Sequence, residues 1–213
     1  INVCVFGANL QQIMASETIQ MDWEGGIVAV AIGDFDGDKQ SEIAVGIAAM
    51  DEYERRIVVY KLTKGGGGFV LKLLSDTTFT QSTASSKCIE GKHNNAFDMT
   101  AGDFNNDGKD EIFIASSIGR CVSDQSLLDL SIFSFDEKAI PRVAWSKAFF
   151  NGGYFIPNGQ LRVESGLFLF DPKTGWGLNR PQVALCHITS NYYMGTFQGP
   201  PNFIHCRIYK IGT

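Results

Sequence analysis

Short apolar runs recur along this chain, each broken by glycine, asparagine or aspartate. Ile27-Val28-Ala29-Val30-Ala31-Ile32 and Ile43-Ala44-Val45 are β-branched, short and bounded by Gly. Such runs read as buried strands and not as helices. Three further segments alternate apolar and polar residues with an aromatic in the same place: Ile57-Val58-Val59-Tyr60-Lys61-Leu62, Leu130-Ser131-Ile132-Phe133-Ser134-Phe135 and Cys206-Arg207-Ile208-Tyr209-Lys210-Ile211. Period-two alternation is the mark of a half-buried strand. Taken in order, the pattern predicts strands at 27–33, 42–48, 55–62 and 69–75. A second set falls at 96–102, 111–117, 129–136 and 142–150. A third falls at 163–170, 182–188 and 204–211, with no fourth strand after it. Val3-Cys4-Val5-Phe6 resembles the third strand of an earlier unit.

The unit repeats every ~70 residues, a period that points to a repeat architecture with loop insertions. Four-stranded antiparallel units set around an axis make a β-propeller. The expectation is an all-β chain of propeller-type blades, about three repeats plus a partial one. The partial blade would occupy 1–22, full blades 23–75 and 76–150, and a degenerate blade 151–213. That is fewer than most closed propellers have, which predicts a piece of a larger propeller or edges that pair with another chain.

The turn between the first and second strands carries the chemistry. Gly33-Asp34-Phe35-Asp36-Gly37-Asp38-Lys39-Gln40-Ser41-Glu42 and Gly102-Asp103-Phe104-Asn105-Asn106-Asp107-Gly108-Lys109-Asp110-Glu111 match position by position. Each places oxygen side chains at loop positions 1, 3, 5 and 9: Asp34, Asp36, Asp38 and Glu42 in one, Asp103, Asn105, Asp107 and Glu111 in the other. Position 7, Gln40 or Lys109, can add a backbone carbonyl. Calcium is a hard cation that takes roughly six to eight oxygens, so two calcium sites are expected. Asp110, at position 8, is expected to face water. An EF-hand would need a glutamate at about position 12, where this chain has Val45 and Ile114. A third loop begins at Asp171, but Lys173 stands at its position 3 and prolines intrude, so no ion is expected there.

These motifs resemble the FG-GAP repeats of the integrin α-subunit propeller and the related VCBS-type repeats. The matching residues are Gly33 to Asp38 with Glu42-Ile43-Ala44-Val45-Gly46, and Gly102 to Gly108 with Glu111-Ile112. Lys39 departs from the Gly usual at position 6, and Glu replaces Asp at position 9. The resemblance implies a calcium-bearing propeller that serves as an adhesive or lectin-like module, as an accessory segment of a secreted polysaccharide-degrading enzyme or toxin, or as a structural segment of an extracellular assembly. Activity follows from such a fold only weakly.

Composition narrows the partners. The 213 residues are 44% hydrophobic and 19% charged, with a net charge of −5 and no basic stripe, which argues against nucleic acid. No apolar run approaches the ~20 residues of a membrane span. The five cysteines suggest Cys88–Cys121 and Cys186–Cys206 as candidate disulfides with Cys4 left over, or else five buried thiols. Calcium loops suit an oxidising, calcium-rich exterior, so an extracellular or cell-surface location is expected.

Strand direction puts the acidic turns and the Gly65–Gly68 turn on one face. Loops at 46–56, 76–96, 116–128, 151–160 and 188–203 go to the other. That second face gathers Tyr154, Asn158, Asn191, Tyr192, Tyr193 and Phe197, an aromatic and amide mixture suited to a glycan or protein ligand. Its loops carry few charges, among them Arg55. Neither His-Glu-x-x-His nor Gly-x-Ser-x-Gly occurs, and His93, His187 and His205 are scattered, so no enzyme is expected.

Overall fold

In the computed structural model the chain is described over residues 1–8, 13–22, 26–49, 54–80, 94–121, 125–150, 161–166, 182–189, 192–193, 196–197 and 203–209. It opens with a hairpin of β1 (Asn2–Phe6) and β2 (Ile13–Thr18). A four-stranded antiparallel sheet follows: β3 (Gly26–Gly33), β4 (Glu42–Ala49), β5 (Glu54–Gly65) and β6 (Gly68–Thr80), hydrogen-bonded in chain order. A second repeats the plan with β7 (Asn94–Gly102), β8 (Glu111–Cys121), β9 (Gln125–Phe135) and β10 (Pro141–Phe150). A third sheet joins β11 (Leu161–Gly166), β12 (Gln182–Thr189) and β15 (Phe203–Tyr209). Between its last two strands, β13 (Tyr192–Tyr193) and β14 (Thr196–Phe197) form a small ribbon.

The sheets pack face to face in sequence order, because the central strands β4, β5, β8 and β9 carry apolar residues on both faces. Between the first and second sheets lie Ala29, Ala31, Ile57 and Val59 from one side and Phe97, Met99, Ile112, Ile114 and Phe133 from the other. Phe113, Leu128 and Leu130 on the second sheet's opposite face meet Leu161, Val163, Val183 and Leu185 of the third. The hairpin covers Val45, Ile47, Val58, Tyr60 and Leu71 on the outer face of the first sheet. Gly46 marks the tightest approach: a Cβ there would come within 2.5 Å of Met99 Sδ and 2.9 Å of Phe97 Cζ. Any larger residue would force the two sheets apart.

The first strands of the three sheets run beside one another, β7 against both β3 and β11. Side chains bridge that second seam. Asp98 accepts from the Val163 amide at 2.9 Å, and Thr100 accepts from the Ser165 amide at 3.1 Å. A buried polar junction crosses the first seam. Arg55, on β5, donates to Asp129 at 2.9 Å and to Ser116, both on the second sheet. Arg55 is therefore not a charge on an exposed loop: it is 1% accessible. β5 begins at Glu54, so Arg55 belongs to the strand, and Asp129 supplies a carboxylate for it across the seam.

Cys186 and Cys206 stand directly opposite on β12 and β15 and form a disulfide, while Cys4 is free and exposed. The backbones of His187 and His205 are also paired across these strands. Cys88, the decayed loop from Asp171, Tyr154, Asn158 and Asn191 lie outside the described residues, as does the side chain of Cys121.

Candidate metal centre

Both acidic loops adopt one backbone shape. Positions 4 and 6 have positive φ in each: Gly37 (82°) and Lys39 (68°), then Asn106 (66°) and Gly108 (89°). Gly and Asn tolerate that region, whereas lysine is held there at a cost of roughly 1–2 kcal/mol. The carboxylates hold Lys39 in place. Asp34 accepts from the amides of Gly37 at 2.8 Å and Lys39 at 2.9 Å. Asp103 does the same for Asp107 and Gly108, at 3.0 and 2.9 Å.

Position 9 ties the far end of each loop to its start. Glu42 Oε2 accepts from the Phe35 and Asp36 amides at 2.9 and 3.4 Å, and Glu111 Oε2 from Phe104 and Asn105 at 2.9 and 3.3 Å. Both glutamates are buried. Position 2 points the other way, into the core. Phe35 lies in the seam between the first two sheets, its ring 4.6 Å from that of Phe135, and Phe104 lies in the seam between the second and third. Fully burying such a ring stabilises by roughly 1.5–3 kcal/mol. The Gly-Asp-Phe start of each loop is thus a plug for the neighbouring sheet as well as a turn. The recurrence of Phe at position 2 was the available signal for this role.

The two loops touch each other. The Asp34 amide donates to Asp110 Oδ2 and the Asp110 amide donates to the Asp34 carbonyl, each at 2.8 Å. Asp110 therefore does not face water. It is half-buried, and burial raises its pKa, opposed by the Asp34 amide and reinforced by the charges of Asp103 and Asp34. Lys109 lies along Gly37, so a side chain at Gly37 would collide with it.

The oxygens gathered in the two loops differ. In the first, Asp34, Asp36 and Glu42 bring carboxylate oxygens within 4.8 Å of one another, and this is the one such acidic group among the described residues. The Lys61 ammonium lies among them, 3.0 Å from Asp36, 2.5 Å from Asp38 and 2.9 Å from Glu42. Burial opposes the charge on Lys61, but the carboxylates of Asp38, Glu42 and Asp36 around it outweigh that and raise its pKa well above the usual lysine range. The same bond from Lys61 lowers the pKa of Asp38. In the second loop the Asn105 amide donates to Asp107 at 2.9 Å and to Glu111 at 2.7 Å. Among the described residues no cation pairs with Glu111, and burial pushes its pKa up to about 7, with Asp107 and Asp103 adding to the rise.

An oxygen-only donor set suits a hard cation. Glu42 Oε1 adds a buried carboxylate oxygen aimed at this cluster, close to the ammonium but with no aligned hydrogen bond. Among the sequence-expected ligand-binding residues, Tyr192 and Phe197 are paired across the β13–β14 ribbon, with Tyr193 beside them opposite Thr196. No described helix is long and apolar enough to cross a membrane. Comparison with protein-family models, curated proteins and solved structures found no match for this chain.

Proposed function

We propose that this chain is a calcium-stabilised, propeller-type segment that acts as an extracellular binding module and not as an enzyme. Its ligand, a glycan or a protein, would be held by the loops opposite the acidic turns, at the β13–β14 ribbon. The observation that carries the calcium reading is the loop pair. Two loops 69 residues apart share positive φ at positions 4 and 6 and one scheme of carboxylate-to-amide bonds. Asp34, Asp36, Asp38 and Glu42, with the Gln40 carbonyl, would hold one ion. Asp103, Asn105, Asp107 and Glu111, with the Lys109 carbonyl, would hold the other. The ion would supply charge neutralisation to the turn and hence rigidity to the sheet, with an expected gain of about 0.5–1.5 kcal/mol per site near millimolar calcium. The succession of β3, β7 and β11 along one side supports blades set around an axis. The Cys186–Cys206 disulfide supports an oxidising compartment.

Thermal melts with calcium and with a chelator test the metal. The wild type should gain several degrees with calcium, and Asp36→Ala with Asp107→Ala should melt lower and respond to neither condition. A wild-type melt indifferent to calcium would remove the ion from this reading. A glycan array, run with and without chelator, tests the ligand.

One observation favours a second role, as a structural part of a larger assembly. Val28, Val30 and Ile32 on β3 are 42, 54 and 65% exposed, a strip beside the core that the β1–β2 hairpin covers. Such a strip suits further strands of the hairpin's own sheet. Analytical ultracentrifugation would separate the two roles, since a lone binding module sediments as a monomer.

A further inference from the structure

The two loops are not equivalent, and the difference lies on a neighbouring strand. Lys61 on β5 stands opposite Glu42, one step beyond the Ile43–Tyr60 pair. The corresponding pair in the second sheet is Ile112–Phe133, which places Ser134 at the equivalent position. Both Asp34 oxygens accept from amides, whereas three other carboxylates of the first loop divide their work. Asp36 Oδ1 accepts from the Asp38 amide, Asp38 Oδ1 from the Gln40 amide, and Glu42 Oε2 from Phe35 and Asp36. Their remaining oxygens, Asp36 Oδ2, Asp38 Oδ2 and Glu42 Oε1, all converge on Lys61 Nζ. Those are the oxygens an ion would need, and the ammonium stands where it would sit.

We propose that Lys61 is a tethered cation that fills the first loop, leaving the second as the one exchangeable calcium site. This rests on the calcium reading above and reduces its two ions to one in the wild type. An ion entering the first loop must expel a charged group fixed by its own strand, only 12% exposed and surrounded by three carboxylates. An ion entering the second displaces only the neutral Asn105 amide from Asp107 and Glu111. The second loop has the neutral Asn105 where the first has Asp36, so its need for a neutralising cation on the neighbouring strand is smaller.

Calorimetric titration of the chelator-treated protein with calcium alone tests this. The wild type should bind one ion per chain. Lys61→Met, which keeps the aliphatic stem, should bind two, with affinity at the first loop raised at least about tenfold. Ser134→Lys should bind none, because the second loop would then carry its own cation. Amide spectra of the wild type give a reading that needs no variant: calcium should shift residues 103–111 far more than 34–42. Two equal ions on the wild type, with both loops shifting together, would overturn the role of Lys61 and leave the calcium reading standing. No ion on the wild type or on Lys61→Met would overturn both.

Discussion

Asp34 and Asp110 clasp each other across the junction of two sheets, the amide of each donating to an oxygen of the other at 2.8 Å. Asp34 opens the first loop and Asp110 is the next-to-last residue of the second. The two turns are thereby one mechanical unit: a shift in either is carried to the other through two short bonds. Asp110→Ala removes the acceptor for a part-buried amide and should destabilise by about 1–2 kcal/mol. Asp110→Asn keeps an acceptor oxygen and should cost less. Urea unfolding of both variants checks this, and equal midpoints for the alanine variant and the wild type would show the clasp to be idle.

Arg55 and Asp129 make a different kind of bond between the same two sheets. The guanidinium is buried, burial lowers its pKa, and the charge of Asp129 opposes that shift. Among the described residues nothing hydrogen-bonds Arg55 Nε or Asp129 Oδ1, so the pair is incompletely satisfied. Removing one member leaves a buried charge uncompensated, at a cost of roughly 3–5 kcal/mol, whereas replacing both with apolar residues of similar size is often neutral or favourable. Asp129→Leu alone should be strongly destabilised, and Arg55→Met with Asp129→Leu should recover most of the loss. If the double variant unfolds as easily as the single one, the pair contributes more than mutual neutralisation.

The contrast between these two pairs shows what could be read from the sequence. Strand alternation located all eleven strands of the three sheets, since the central strands bury apolar residues against a neighbouring sheet. Strand ends ran short, as at β6, which continues through Asp76 to Thr80. There Arg56 pairs with Asp76 across the hairpin, a cross-strand contact that no hydrophobic pattern records. The loops were legible because their oxygen side chains are local, within nine residues of each other. Lys61, Asp110 and Arg55 were misjudged or passed over because their partners lie 19 to 76 residues away. Position 8 of an acidic turn looks like a solvated carboxylate until a second turn packs on it. A lysine in an alternating strand looks like its exposed side until the strand register sets it opposite Glu42.

Glu111 supplies a pH test of the second loop. Burial raises its carboxyl from the ordinary 4.5 to about 7 in the folded chain. Below about 4.5 both states hold the proton, and the stabilisation from this group is complete. As the pH climbs from about 4.5 to about 7 the unfolded chain has released its proton while the folded chain still binds it. Stability falls with pH wherever the folded state binds more protons, so it declines across this window and levels off above it. Asp110 and Asp98, whose pKa values are also raised by burial, contribute to the decline from lower pH. Glu111→Gln cannot titrate and should flatten the upper part of the slope without removing theirs. Calcium acts on the same carboxyl with the opposite demand, since a ligand oxygen must be ionised. Saturating calcium should therefore shrink the decline in the wild type and leave the glutamine variant nearly unmoved. Urea midpoints measured in chelator from pH 4 to 8, with and without added calcium, decide it. Superimposable profiles for wild type and Glu111→Gln would mean that this carboxyl titrates as if it were in water.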